Sequence, residues 1–174
     1  MPSLDGKPLG RAVKKAKELG LTTIMDTAWD ASGRWMELVE DALPHLDYFI
    51  PSYDEAMNIS GKTDPGEIAE VFMFYGVKNV VIKLGKEGCY IKTPDEEELT
   101  IPTFLNIKAV ETTGAGDAFS SGFITGLSMG WPLYKCGLFA NAVGTFSVSQ
   151  VGASTGIKPL EETITFIKLQ GREW

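Results

Sequence analysis

The sequence predicts an α/β fold in which a mostly parallel sheet carries helices and ends in an antiparallel hairpin. Short runs of β-branched and apolar residues alternate with amphipathic helical patterns along the first half of the chain, which is typical of parallel strands joined by crossover helices. Two further short strands follow on either side of a polar turn, which indicates a hairpin. No linker, internal repeat or low-complexity segment interrupts the 174 residues, so we expect a single domain over residues 1–174.

The first half of the chain supplies three strands and their helices. A lysine-rich segment repeats its apolar residues at helical spacing and stops at Gly20, which is typical of a helix end. Asp64-Pro65 is typical of a helix start, because proline fits the first helical position. The predicted helices cover residues 9–19, 35–43, a segment beginning at Ser52, and 64–76. The predicted strands cover residues 21–25, 47–50 and 77–84, and their apolar character indicates burial on both faces.

The second half begins with the hairpin and continues as helices. The hairpin strands are predicted at residues 88–92 and 99–102, and one more strand at 107–110. A glycine-containing loop then precedes three helices, predicted at residues 116–127, 132–148 and 159–169. The prolines at the starts of the last two helices agree with the preference of proline for the first helical turn.

Charge and composition exclude several classes of protein. The chain has 16 Lys and Arg and 23 Asp and Glu. The resulting net charge of −7 removes the electrostatic attraction that supplies most nucleic-acid affinity. No uncharged apolar run reaches the length that a membrane span needs, and the start lacks the apolar core of a signal peptide. We therefore expect no nucleic-acid or membrane partner and a cytoplasmic location. Cys89 and Cys136 belong to no CxxC pair and are expected to be buried thiols.

The most informative motif is ETTGAGDAF at residues 111–119, between a predicted strand and a helix. The small residues Gly114, Ala115 and Gly116 allow a tight bend whose amides converge at a helix N-terminus, which is an arrangement that binds anions. Asp117 would lie in the first helical turn, where the helix dipole keeps it ionised and able to accept a proton. The alternative is an ordinary loop followed by a helix-capping aspartate.

These residues resemble the second signature of ribokinase-like carbohydrate kinases of the PfkB family. The signature T-x-G-A-G-D, followed by two small residues, is matched at Thr112, residues 114–117 and Ser121-Gly122. Three other segments resemble family elements in the same order: PSYDEA at 51–56, VVIKLGKEG at 80–88 and NAVGTFSVSQVGA at 141–153. The resemblance implies the C-terminal portion of a three-layer α/β/α, ribokinase-like (Rossmann-like) fold.

The resemblance implies ATP-dependent phosphorylation of a sugar hydroxyl. Asp117 resembles the catalytic base, and the amides of Gly114, Ala115 and Gly116 resemble the anion hole for the transferring phosphoryl group. Lys83, Gly85, Gly88 and Asn141 resemble nucleotide-binding positions. The segment at Gly85 is equally consistent with a plain turn, and Asn141 is equally consistent with a polar residue that caps or bridges neighbouring elements.

Two candidate metal sites also follow from the resemblance. Glu55 resembles a glutamate that acts near Mg²⁺ through water, although Ser52 stands where asparagine is common. Ser52 and Glu55 are alternatively a capping box. Glu111 and Thr113 resemble residues that help to hold a monovalent cation, K⁺, with carbonyls at 152–154. Glu111 replaces the more usual aspartate, which moves the carboxylate by one methylene, and a surface glutamate is the alternative.

The resemblance also implies that an N-terminal portion and a small β lid are missing. We expect an open strand edge that favours self-association. The alternative function is a nucleotide-binding remnant or assembly module without turnover. Asp26, Trp29 and Asp30 follow the first strand at its carboxyl end, where open α/β sheets bind ligands, and they form a further candidate substrate or nucleotide site.

Overall fold

The computed structural model describes residues 6–95 and 97–174 of the chain. Backbone contacts divide these residues into two compact units. The first takes the chain up to Ile82 together with Tyr90–Glu98, and the second takes Lys83–Cys89 and Leu99–Trp174. Because the chain passes between the units more than once, neither is a continuous segment, and a single domain stays a prediction. No helix in the described ranges is long and apolar enough to cross a membrane.

The structure contains helices and strands in the predicted order. The helices are α1 (Lys7–Glu18), α2 (Met36–Val39), α3 (Tyr53–Ser60), α4 (Pro65–Phe74), α5 (Ala115–Ser128), α6 (Leu133–Ser147) and α7 (Leu160–Leu169). The strands are β1 (Ile24–Met25), β2 (Tyr48–Phe49), β3 (Asn79–Lys83), β4 (Cys89–Lys92) and β5 (Glu98–Ile101). Two 3-10 turns lie at Leu43–His45 and Gly85–Glu87.

Local sequence features and aromatic packing position the elements of the first unit. Asp64 caps α4, and its Oδ1 accepts hydrogen bonds from the amides of Gly66 at 2.9 Å and Glu67 at 3.1 Å. Between α4 and β2, the buried rings of Phe49 and Phe72 meet edge to face, with centroids 4.8 Å apart. An aromatic pair of this geometry contributes about 0.5 to 1.5 kcal/mol beyond its buried area.

The strands form one mixed sheet in the order β1-β2-β3-β4-β5. β1 pairs with β2, and β2 with β3, in parallel. Only residues 84–88 separate β3 from β4, and only residues 93–97 separate β4 from β5. Connections this short join antiparallel neighbours, because a parallel crossover needs a dozen or more residues. The predicted combination of parallel strands and a hairpin edge is therefore confirmed.

In the second unit, α5 packs closely against α6. A Cβ on Gly122 would lie 2.9 Å from the Cα of Ala140, and a Cβ on Gly126 would lie 2.9 Å from the Sγ of Cys136. The two glycines are four residues apart and therefore share one face of α5. They leave a notch in that face into which the backbone of α6 fits, and this contact fixes the position of the N-terminus of α5.

Two predicted elements are wrong. Residues 107–110 form no strand, because the amide of Val110 donates to the carbonyl of Val148 after α6, at 2.7 Å, and not to a neighbouring strand. The helix predicted over 35–43 is reduced to α2 and the 3-10 turn at Leu43–His45. After α2 the amide of Ala42 donates to the Val39 carbonyl, three residues back, so the chain continues as a tighter turn.

Candidate functional site

The bend at residues 111–116 is built around Gly114, which occupies the N-cap position of α5. Its φ of 80° lies in the left-handed region, which favours glycine. A Cβ at Gly114 would also lie 2.5 Å from the Cβ of Ala153, too close for two carbon atoms. The bend therefore requires glycine both for its backbone conformation and for its packing, and the predicted tight turn is present.

The amides at the start of α5 differ in their partners. The amide of Ala118 donates to the Gly114 carbonyl at 2.9 Å and begins the helix. The amide of Ala115 donates to the Thr112 carbonyl at 3.1 Å and closes the bend. One of the three predicted anion-hole donors is thus engaged within the protein. Gly116 lies in the first turn, where an amide has no carbonyl of its own helix to bond.

Asp117 lies in the first turn of α5, as predicted. Its side chain is exposed. The N-terminal end of a helix carries a partial positive charge, which stabilises a carboxylate there. The position is therefore accessible to a substrate hydroxyl. An aspartate that merely stabilises the helix would occupy the same place.

A cavity of about 310 Å³ lies within the second unit and reaches the start of α5. Six residues predicted from the sequence contribute to its wall: Lys83, Gly85, Gly88, Ala115, Gly116 and Asn141. The apolar part of the wall comes from Phe104, Leu105, Ile107, Ala109, Phe119 and Val148. The remaining lining residues are Lys86, Thr103, Thr112, Gly144 and Thr145. The volume is at the lower end of the range for small-molecule pockets, about 300 to 1,000 Å³.

The loop at 104–109 is the part of the apolar wall that the sequence does not indicate. Its second half overlaps the strand predicted at 107–110, and nothing in its pattern marks a ligand-facing loop. Its only signal is position, since it connects β5 to the GAGD bend. Conversely, Gly114 and Asp117 lie outside the cavity wall. Gly116 and Phe119 on either side of the predicted base contribute to the wall, but Asp117 itself does not.

Lys83 and Gly116 bring positive charge to the same part of the cavity. Lys83 ends β3, and its Nζ lies 3.3 Å from the position that a Cβ on Gly116 would occupy. The ammonium group is therefore placed directly against the first turn of α5. Because a helix N-terminus also carries a partial positive charge, the two groups together favour an anion at this point.

Gly88 and Asn141 shape the wall through close packing. A Cβ on Gly88 would overlap the carbonyl oxygen of Ile101, and the φ of Gly88 is 98°. Asn141 is 4 % exposed, and its Nδ2 donates to the same Ile101 carbonyl at 2.8 Å. The interpretation of Asn141 as a bridge between neighbouring elements is thus confirmed, and the residue also lines the cavity.

Glu111 connects the bend to the loop at 152–154. Its Oε2 accepts a hydrogen bond from the amide of Gly152 at 2.8 Å. This bond, together with a side-chain hydrogen bond from Thr113, holds the pKa of the Glu111 carboxyl below its usual range. The structure therefore connects Glu111 with Thr113 and with the 152–154 loop through direct hydrogen bonds, and the predicted role of Glu111 and Thr113 in holding a monovalent cation stays a prediction.

Glu55 is the third residue of α3 and forms a capping box with the N-cap residue Ser52. Its Oε2 accepts from the amide of Ser52 at 3.0 Å and from the hydroxyl of Thr27 at 2.8 Å. The capping-box interpretation is confirmed, and Thr27 is a partner that sequence reasoning missed. No group of three or more His, Cys, Asp or Glu side chains suited to a metal ion is found in the described part of the chain.

The candidate residues after β1 organise their own loop. Asp30 accepts hydrogen bonds from the amides of Arg34 at 2.7 Å and Trp35 at 2.8 Å. The hydroxyl of Ser32, with these amides, lowers the pKa of Asp30 to about 2. Trp29 and Trp35 meet edge to face at 4.9 Å. The carboxylate of Asp30 is thus used within the loop, and a ligand role for this loop stays a prediction.

Comparison with protein families and solved structures identifies relatives of this chain. Residues 1–160 match the model of the pfkB family carbohydrate kinases. An ATP-dependent 6-phosphofructokinase of Thermoanaerobacterium thermosaccharolyticum is 33% identical over 133 residues, which are 76% of this chain and 41% of that protein. A 2-dehydro-3-deoxygluconokinase of Bacillus subtilis is 29% identical over 147 residues, which are 84% of this chain and 45% of that protein.

Solved structures agree with the family match. A ribokinase from Thermotoga maritima superposes with a TM-score of 0.77 at 32% identity, covering 90% of this chain and 52% of that one. A putative ribokinase II from E. coli, in complex with ATP and Mg²⁺, gives a TM-score of 0.83 at 25% identity and covers 92% and 53%. The chain thus spans about half the length of the relatives it matches. It has the ribokinase-like α/β fold and belongs to the PfkB family of carbohydrate kinases.

Proposed function

We propose that this chain carries the ATP-binding and phosphoryl-transfer part of a kinase that phosphorylates a sugar or sugar-like hydroxyl. One observation carries the proposal: a single cavity is lined by both Lys83 and the first turn of α5, and Lys83 Nζ faces Gly116. Phosphoryl transfer is catalysed mainly by positioning and by stabilising charge, which is what such a cavity supplies.

The lining of the cavity supports a nucleotide as its occupant. A nucleotide has an apolar aromatic base at one end and an anionic phosphate chain at the other. The wall offers apolar side chains, among them Phe104, Ile107 and Phe119, and also the ammonium of Lys83 near the amide of Gly116. The base would pack against the apolar residues, and the phosphates would lie toward Lys83 and the bend.

Asp117 is the proposed general base. It would accept the proton of the sugar hydroxyl while that oxygen forms a bond to the γ-phosphorus and the bond from the γ-phosphorus to ADP breaks. Its exposed position at the N-terminus of α5, next to Gly116 of the cavity wall, suits a group that contacts a second substrate. The amides of Gly114 and Gly116 would stabilise the transferring group, and that of Ala115 would first have to leave Thr112.

Magnesium binding is proposed to depend mainly on the nucleotide. Mg²⁺ keeps several waters and binds through one or two carboxylates together with substrate phosphates. When bound, it neutralises charge on the phosphate chain. A set of protein carboxylates is therefore unnecessary. Glu55 uses Oε2 in the capping box, so its predicted contact with Mg²⁺ through water would involve its other oxygen.

The test is sugar-dependent release of ADP by the purified chain. Candidate hexoses, pentoses, sugar acids and nucleosides are each supplied with ATP and Mg²⁺. Asp117→Asn should lower kcat by about 10²- to 10⁴-fold, which is the usual contribution of a general base. Asp54→Asn is the matched control, since Asp54 is also an exposed aspartate in the first turn of a helix. Equal losses in both variants would contradict the role given to Asp117.

A second candidate function is a nucleotide-binding module without turnover. The observation that favours it is the cavity lining, which includes Lys83 and Gly116 but not the proposed base Asp117. This candidate predicts that a non-hydrolysable ATP analogue binds, that Lys83→Met weakens binding, and that no acceptor stimulates ADP release. Turnover with any acceptor, lost in Asp117→Asn, would exclude it.

Self-association is proposed from the position of β1. Among the described residues, β1 lies at one end of the strand order and has β2 as its one partner strand. An unpaired strand edge offers amides and carbonyls to another chain. Sedimentation velocity over a wide range of concentrations should show a concentration-dependent shift to larger species. A single monomeric species at every concentration would contradict this proposal.

A further inference from the structure

The carbonyls of the 152–154 loop all accept hydrogen bonds from within the protein. The Gly152 carbonyl accepts from the amide of Thr155 at 3.4 Å, and the Ser154 carbonyl accepts from the amide of Ile157 at 3.2 Å. The Ala153 carbonyl accepts from the hydroxyl of Ser147 at 2.9 Å. Each carbonyl that the family resemblance would offer to a monovalent cation therefore already has a proton donor.

The side chain of Glu111 completes this pattern. Its carboxylate receives the Gly152 amide at 2.8 Å and the hydroxyl of Thr113. A monovalent cation needs oxygen lone pairs directed toward it, whereas a backbone N–H directed at the same carboxylate places a partial positive charge there. The donor set thus fits a direct contact between the two loops, which needs no cation between them.

The backbone around Glu111 strengthens that contact. The amides of Val110 and Glu111 donate to the carbonyl of Val148, at 2.7 and 3.3 Å. Gly114 in turn packs against Ala153, the neighbour of Gly152. The bend before α5 is therefore fixed to the end of α6 by its backbone and to the 152–154 loop by the Glu111 carboxylate.

We propose that Glu111 is a positioning residue that holds the GAGD bend in its binding geometry directly, so that the site forms without a monovalent cation. The connection to ATP rests on the function proposed above. The extra methylene of glutamate is essential to the geometry, because aspartate would withdraw the carboxylate by about 1.5 Å from Gly152. The carboxylate of Glu111 thus makes the connection that a bridging ion would otherwise make, by accepting a hydrogen bond from the Gly152 amide.

The first experiment measures hydrogen exchange of the Gly152 amide by NMR, in KCl and in tetramethylammonium chloride at equal ionic strength. The exchange rates of the wild-type chain should agree within about twofold. In Glu111→Ala the amide should exchange about tenfold faster or more, because a hydrogen bond to a charged group is lost. Glu161→Ala, which removes an exposed glutamate from the first turn of α7, should leave the rate unchanged.

The second experiment titrates a non-hydrolysable ATP analogue with Mg²⁺ in the same two salts. The wild-type affinity should again agree within about twofold, and Glu111→Ala should bind about tenfold more weakly in both salts. The proposal is overturned if K⁺ raises amide protection or affinity by about tenfold or more, or if Glu111→Ala leaves the Gly152 exchange rate unchanged.

The two measurements separate this inference from the proposed function. If the wild-type chain binds no ATP analogue in either salt, the proposed function fails, while Gly152 exchange still decides the role of Glu111. If Glu111→Ala does not fold, the comparison of the two salts on the wild-type chain decides the question without a variant.

Discussion

The ammonium of Lys83 lies 3.3 Å from the point that a Cβ on Gly116 would occupy. The end of β3 and the start of α5 therefore come together at this glycine. A methyl group at Gly116 would compete with a phosphate for this space and displace the Lys83 side chain. Anion binding beside Lys83 therefore depends on residue 116 being glycine.

Gly116→Ala should weaken binding of an ATP analogue without lowering the stability of the fold. Alanine is more favourable than glycine within a helix by about 0.5 to 1 kcal/mol, and the displaced atom is the flexible end of a lysine. Thermal unfolding should therefore show equal or slightly higher stability. Titration with an ATP analogue should show weaker binding by about tenfold, because one charged hydrogen bond is disturbed. Unchanged affinity would contradict the placement of phosphate between Lys83 and Gly116.

Lys83→Met should weaken binding according to the charge of the ligand. Methionine keeps much of the aliphatic stem and removes the ammonium, so contacts with phosphates are lost and contacts with the base remain. Calorimetric affinity for ATP should fall by about tenfold or more, while affinity for adenosine should change little. Lys158→Met, at an exposed lysine before α7, is the control. An equal loss for ATP and adenosine would indicate a structural effect.

Gly114→Ala should destabilise the second unit strongly. Alanine at a φ of 80° costs about 1 to 2 kcal/mol, and the new Cβ would also overlap Ala153. Gly130→Ala is a matched control, because Gly130 has a φ of 70° and no atom within 4 Å of a Cβ position. Chemical denaturation should show a loss at Gly114 that exceeds the loss at Gly130 by about 1 kcal/mol or more. Similar losses would show that the packing against Ala153 is unimportant.

Asp47 should make the stability of the first unit depend on pH. Partial burial raises the pKa of its carboxyl, but Lys17, the Thr23 amide and Lys78 outweigh burial and hold it well below the usual range. The stabilisation is therefore complete above the unfolded pKa, about 3.9, and is lost as pH falls further. The difference in unfolding free energy between wild type and Asp47→Asn should be constant from pH 7 to about 5 and shrink at lower pH. A difference that stays constant down to about pH 2 would contradict this role of Asp47.

Elements with strong local signals could be predicted from the sequence. The N-cap Asp64 with Pro65, the capping box of Ser52 with Glu55, and the glycine at the centre of the GAGD bend each act over a few residues. Such signals belong to a short segment and do not depend on the rest of the chain. They located α3, α4 and α5 correctly.

The errors occurred where distant partners decide the structure. The segment 107–110 has the composition of a strand, but its amides bond to the end of α6, some forty residues further along the chain. Residues 104–109 line the cavity only because the chain returns beside α5 and α6. Neither contact leaves a periodic pattern in the sequence, since each depends on tertiary packing.

The notch that Gly122 and Gly126 form in α5 has a mechanical consequence. Backbone atoms of α6, the Cα of Ala140 and of Cys136, lie within 3.0 Å of the two Cβ positions, so a larger residue at either glycine cannot be accommodated by side-chain movement alone. A larger residue at either position would push α5 away from α6 and move the N-terminal end of α5, where Asp117 lies. Alignment of the proposed acid is thus set by steric fit more than one helical turn away from it.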